Sequence, residues 1–229
     1  MLEIVYQDEY LVAINKPHGL LVHRSKIAND ATEFALQLLR DQIGKHVSPV
    51  HRLDRKTGGL LVFAFDKETE IAMHKLFQAG SVVKKYLAIL RGYAPPSLDI
   101  DYPLAKENGV MQDAFTSFIT LGQAELPIPF GKHPTSRYSL VEATPKTGRM
   151  HQLRKHFAHI FHPIIGDRKH GCNKQNRFFK EQFEMTTMLL HASELRFVHP
   201  ITLAEITLRA TLQAEFMAAM DLMNFDNMA

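Results

Sequence analysis

The sequence predicts an α+β fold: a mixed, mostly antiparallel sheet with flanking helices. Strand-like runs outnumber helix-like ones along the 229 residues, and they do not alternate in the regular strand–helix–strand order of a parallel sheet. There is also no internal repeat of the length that marks a solenoid or propeller, and no low-complexity tract. A hydrophobic share of 45% against 22% charged residues excludes wholesale disorder, collagen and coiled coil.

The elements follow in order. Leu2–Tyr6 and Tyr10–Ile14 are short β-like runs broken by Asp8-Glu9, and Asn15-Lys16-Pro17-His18-Gly19 forces a turn. Asp30 or Thr32 is the expected cap of a helix whose apolar face is Phe34, Ala35, Leu38 and Leu39, with Gly44 ending it. Leu60–Phe65 is a continuous apolar run, as a strand buried on both faces requires. Lys67–Gln78 reads as a helix closed near Gly80, and Lys85–Leu90 as a strand. Phe115–Leu121 and Tyr138–Ala143 read as strands around a loop rich in proline, Pro127 to Pro134. Arg149–Ile160 is expected to be helical, and Pro163–Asp167 an extended turn. Leu189–Phe197 and Ile201–Arg209 form an expected strand pair through His199-Pro200, and Glu215–Leu222 a terminal helix. No convincing linker interrupts the chain, so one domain over residues 1–229 is expected.

A single cysteine, Cys172, excludes a disulfide framework and leaves no CxxC pair for zinc. It fits a reducing cytosol. No apolar run reaches membrane-helix length, and the N-terminus reads as a strand rather than a signal peptide. The net charge of +3 conceals an uneven distribution. Residues 149–180 hold eight cations and one acid, Asp167, for +7; residues 45–56 contribute +3, which leaves the remainder at −7. Positive charge concentrated in this way attracts polyanions, of which phosphate backbones are the commonest.

Both basic segments carry chemistry. His51-Arg52-Leu53-Asp54-Arg55-Lys56 sets one carboxylate among cations, which favour its ionised form. An ionised carboxylate in a cleft serves as nucleophile or base; one that only pairs with Arg52 or Arg55 to hold a loop is the plainer alternative. Thr147-Gly148-Arg149-Met150-His151-Gln152-Leu153-Arg154-Lys155 loads a helix start with positive charge, a cost that a phosphate or a buried carboxylate would offset. His156 and His159 are spaced to share a metal, but no acidic or cysteine ligand matches them, so no metal site is expected. Tyr86, Ala88 and Leu90 should share one face of their strand. No Walker loop, GxSxG elbow, GxGxxG or HExxH is present.

In this order, the segments Asn15–Gly19, His51-Arg52-Leu53-Asp54, Lys85-Tyr86, Thr147–Arg154, His162–Asp167 and Leu190-His191-Ala192 resemble the RluA family of pseudouridine synthases. The resemblance runs over almost the whole chain. It is strongest to the branch acting on uridine 65 of tRNA, through Leu21-Val22-His23-Arg24-Ser25, Arg55, His133–Tyr138 and Lys169-His170-Gly171. Gly58 and His170 depart from the family, which often has Ser and Tyr there.

The resemblance implies the pseudouridine synthase catalytic fold with a central basic cleft and no small N-terminal RNA-binding domain. It implies Asp54 as catalytic carboxylate, with Arg154 ion-paired to it and Tyr86 contacting the base. Leu153 would pack against the uracil and Arg52 fill the space of the flipped base. His51, Arg55, Arg149, Lys155, Arg168 and Lys169 complete the expected substrate-binding set, with Lys174 a further phosphate contact. The reaction consumes no external reagent, so no cofactor is expected. The expected partner is tRNA, with a cytoplasmic monomer and no obligatory protein partner. The alternatives are an RluA-type enzyme acting on ribosomal RNA or another tRNA position, and, remotely, a non-catalytic RNA-binding protein.

Overall fold

The computed structural model describes residues 1–23 and 32–225. Twelve strands and five helices occupy these described residues. In chain order they are β1 (Glu3–Gln7), β2 (Leu11–Lys16), α1 (Ala35–Ile43), β3 (Ser48–Pro49), β4 (Gly58–Ala64), α2 (Lys67–Gln78), β5 (Val83–Arg91) and β6 (Ser97–Asp101). There follow β7 (Leu104–Ala105), β8 (Met111–Gln112), β9 (Phe115–Leu126), β10 (Ser136–Pro145), α3 (Gln152–His159), α4 (Asn173–Phe183), β11 (Leu190–Val198), β12 (Glu205–Arg209) and α5 (Ala214–Leu222). The chain divides into two compact units, Met1–Lys84 with Ala192–Leu212, and Lys85–His191 with Gln213–Ala229.

In the first unit β1, β2 and β4 form an antiparallel ladder, β3 adds to β4, and β11 pairs antiparallel with β12. Every residue of β4 is buried, which is why its sequence is an uninterrupted apolar run. The register sets Lys16 opposite Gly59. Gly59 has φ +104, and a Cβ there would lie 2.2 Å from the carbonyl oxygen of Ala192, so only glycine fits. Leu11, Val50, Leu60, Val62, Met73 and Leu195 share the core of this unit. Asp66 caps α2, its carboxylate accepting the Thr69 amide at 2.8 Å and the Thr69 hydroxyl at 2.7 Å. α1 begins without Thr32: Phe34 occupies the cap position and makes no side-chain cap bond. Asp30, the other expected cap, lies outside the described residues, as do Arg24 and Ser25.

In the second unit the ladder runs β5–β10–β9–β6, all antiparallel, with β7 and β8 as a separate hairpin. Tyr86, Ala88 and Leu90 do share a face, and they meet Val141, Leu153 and Phe157 in its core. α3 is shorter than expected because residues 149–151 stay outside the helix, with Met150 and His151 in a turn before it. Gln152 accounts for this. Its Oε1 accepts from the Thr147 hydroxyl at 2.6 Å and the Arg149 amide at 3.0 Å, and its Nε2 donates to the Phe115 carbonyl at 2.9 Å. β6, the β7–β8 hairpin and α4 are elements the sequence did not reveal. In α5, Met220 is buried and Met217 exposed, and Met223, which caps the helix, is buried.

Candidate active site

Asp54 sits in the loop between β3 and β4, where its carbonyl accepts the Thr57 amide at 3.0 Å. Buried Leu53 on one side and buried Thr57 on the other anchor this turn, while Arg52 and Arg55 remain exposed. The 15–19 turn is bonded to it. Gly19 N–H donates to the Arg55 carbonyl at 2.9 Å, Arg55 Nε donates to the Gly19 carbonyl at 3.0 Å, and His18 Nδ1 lies 2.6 Å from the Lys56 carbonyl.

Lys16 is the centre of that junction and is fully buried. Its Nζ donates to the carbonyls of Pro17 and Leu20, each at 2.9 Å, and of Arg55 at 3.3 Å. Burial pushes its pKa down to about 7, against the opposing pull of the Asp54 charge. Below that pH the carboxylate therefore has a buried cation near it, and above it a neutral amine. Sequence reasoning saw Lys16 only as part of a turn. The burial of an ammonium depends on carbonyls that the fold assembles, and no local pattern signals it.

His51 is occupied internally. Its Nε2 accepts the Val62 amide at 3.1 Å, and the ring stacks on Phe77 at 4.7 Å between centroids. Burial first, and then the charge of Lys84, push its pKa down to about 3, so the ring is neutral and fastens the Asp54 loop to β4.

The second unit holds the other expected residues. Arg154 is buried on α3 and forms a two-pronged pair with Asp167, from Nε at 2.7 Å and from Nη2 at 2.8 Å. Asp167 also accepts the amides of Lys169 at 2.9 Å and His170 at 3.0 Å. Burial alone would raise the Asp167 pKa, but the Arg154 guanidinium and these amides outweigh it and hold the carboxyl below its usual range. The lone acid of the basic stretch is therefore a structural partner inside it. A Cβ on Gly171 would lie 2.2 Å from the Asp167 carbonyl oxygen, which accounts for glycine after His170.

His151 precedes α3 with φ 56, and its Nδ1 lies 2.9 Å from Nε2 of His170. Burial pushes the His170 pKa down to about 4, so this ring is neutral at pH 7 and a shared N–H···N bond is available to the pair. Leu153 and half-buried Tyr86 meet in one apolar cluster. Arg149 Nε donates to the Asp113 carbonyl at 2.8 Å, and Lys155 Nζ to that of Ala105 at 3.3 Å, so both brace the segment around the β7–β8 hairpin. Arg168 and Lys169 project into solvent. His156 is bonded to the Thr116 hydroxyl and the Tyr102 carbonyl, both at 3.0 Å, and His159 stacks on Tyr102. Among the described residues no group of three or more His, Cys, Asp or Glu side chains is arranged to hold a metal ion.

The profile of the RNA pseudouridylate synthase family matches residues 10–159. A tRNA pseudouridine synthase C of Vibrio vulnificus (strain CMCP6) is 50% identical over 221 residues, covering 92% of this chain and 90% of the relative. A protein of the same name from Haemophilus influenzae (strain ATCC 51907 / DSM 11121 / KW20 / Rd) is 44% identical, covering 99% of this chain and all of the relative. Among solved structures, Human RNA Pseudouridylate Synthase Domain Containing 4 superposes with a TM-score of 0.73 at 26% identity, over 97% of this chain and 93% of that one.

Proposed function

The chain belongs to the RNA pseudouridylate synthase family, and from that premise we propose that its substrate is tRNA, that its target is uridine 65, and that Asp54 is its catalytic carboxylate. The observation that carries the tRNA reading is the 50% identity, over nine-tenths of both chains, to a relative named as a tRNA pseudouridine synthase. The position rests on the resemblance of the segments around Arg55, His133–Tyr138 and Lys169–Gly171 to the uridine-65 branch.

The reaction is an isomerisation. The bond from N1 of uracil to C1′ of the ribose breaks, the base turns, and a bond from C5 to C1′ forms. The proton leaving C5 is balanced by the one gained at N1. Atoms and electrons balance within the nucleoside, so no cofactor is required. Asp54 acts as an ionised carboxylate, whether by attack on the nucleoside or by taking a proton. Support for its role comes from its setting: the loop is bonded to the 15–19 turn, fixed to β4 by neutral His51, and placed near the Lys16 ammonium.

Tyr86 and Leu153 form an apolar platform for a uracil that must leave its stack, at a cost of a few kcal/mol. Arg154 is held rigidly by Asp167, and Arg52 fills the space left by the base. Arg55, Arg168, Lys169 and Lys174 contact phosphates, which position the RNA without reading sequence. Arg149 and Lys155 act on the RNA through the hairpin they brace.

Purified protein incubated with an unmodified tRNA transcript tritiated at uracil C5, with no added cofactor, should release tritium as the new carbon bond forms. Release from a 5-tritiated ribosomal transcript at an equal or faster rate would contradict the tRNA reading.

A further inference from the structure

The segment of residues 127–135 that joins β9 to β10 has no part in the site described above. It closes on itself, with the amides and carbonyls of Phe130 and His133 bonded reciprocally at 3.0 and 3.2 Å. Both residues line a cavity of about 370 Å³, as do Arg91, Tyr93, Glu125, Arg137 and Gln175.

Two guanidiniums lie over aromatic rings there, Arg91 over Phe130 at 5.6 Å and Arg137 over Tyr93 at 5.1 Å. The Glu125 carboxylate is already engaged by the Tyr93 hydroxyl at 2.8 Å, by the Thr135 hydroxyl and by Arg137 Nε at 3.3 Å. Arg91, half-exposed, has no carboxylate within ion-pair distance among the described residues. It is therefore the cation at this cavity that remains available to an anion.

The cavity is distinct from the uracil platform. Arg91 is five residues from Tyr86 on β5, so the two side chains leave opposite faces of the strand. Tyr138, opposite Arg91 in the ladder, bonds to Gln175 at 2.8 Å and packs edge-on against Phe179 of α4. Phe130 likewise meets Phe178 of α4 at 5.5 Å. That helix buries Gln175 and Phe179 and leaves Lys174, Arg177 and Lys180 exposed. A cavity with aromatic residues in its lining, a guanidinium without a carboxylate and a basic helix beside it has the chemistry of an unpaired-nucleotide site.

We propose that this cavity takes one unpaired nucleotide of the RNA substrate, its base on the Phe130–Tyr93 wall and its phosphate on Arg91. It is a second RNA contact on the α4 face, and it rests on the pseudouridine synthase reading. The test is equilibrium binding of a tRNA transcript across a series of KCl concentrations. Arg91→Gln should weaken binding about tenfold and lower the slope of log affinity against log salt by roughly one phosphate's worth, about 0.7–0.9. Arg91→Lys should keep the slope. Phe130→Leu, which preserves bulk beside Phe178, should weaken binding about tenfold with the slope unchanged. Turnover at saturating tRNA should equal that of the wild type in all three. Wild-type affinity and slope in both Arg91→Gln and Phe130→Leu would overturn the proposal and leave the cavity to a protein partner or to no ligand. If the wild type itself converts no uridine, it is the underlying reading that fails.

Discussion

Asp54→Asn keeps the fold and tRNA binding and lowers pseudouridine formation by roughly a thousandfold or more. Asn has the shape of Asp but can neither carry the negative charge nor take a proton. Groups other than that side chain hold the loop. The Asp54 carbonyl, the Gly19–Arg55 bonds and His51 all hold it through the backbone or through other residues. Tritium release from a tRNA transcript gives the rate, and a binding isotherm on the same preparation separates chemistry from affinity. Undiminished conversion would remove Asp54 from catalysis. Conversion lost together with binding would make it a structural residue. The substitution has one further consequence: the Asp54 charge supports protonation of Lys16, so without it the Lys16 pKa falls further.

Asp167→Ala should be the most damaging substitution to stability, costing about 3–5 kcal/mol, because it leaves the Arg154 guanidinium buried without this carboxylate. Urea unfolding of the two proteins measures it. The pH dependence has a definite sign. The folded-state pKa of Asp167 lies below the ordinary 3.8. Its stabilisation is therefore present in full above that value and is lost as pH falls through the lower folded-state pKa. The gap between wild type and Asp167→Ala should accordingly be constant at neutral pH and narrow below about pH 4. A difference under about 1 kcal/mol at pH 7 would show that the pair contributes little to the fold.

Where one physical signal dominated, the sequence was readable. β4 was legible because both faces are buried, which leaves an unbroken apolar run. The shared face of Tyr86, Ala88 and Leu90 followed from strand alternation. α4 was not legible: it begins Asn-Lys-Gln-Asn-Arg, and its buried residues are Gln175 and Phe179, too few for an apolar stripe. The start of α3 was misplaced because the Gln152 side chain takes the Thr147 hydroxyl and the Arg149 amide, a competition that propensity does not capture. Asp54 stood out as an acid among cations. Lys16 did not, since its burial needs the Arg55 carbonyl, 39 residues on, as well as the nearby Leu20 carbonyl. Asp167 was visible as the single acid of a basic stretch, but its pairing with Arg154 thirteen residues away was not.

The most direct test of the assignment is a pseudouridine map of tRNA and ribosomal RNA from a strain lacking this gene. Position 65 of tRNA should be unmodified in the deletion strain and restored by the wild-type gene but not by the Asp54→Asn gene, with every ribosomal position unchanged. Retention of pseudouridine at position 65, with loss at a ribosomal position or elsewhere in tRNA, would contradict the account.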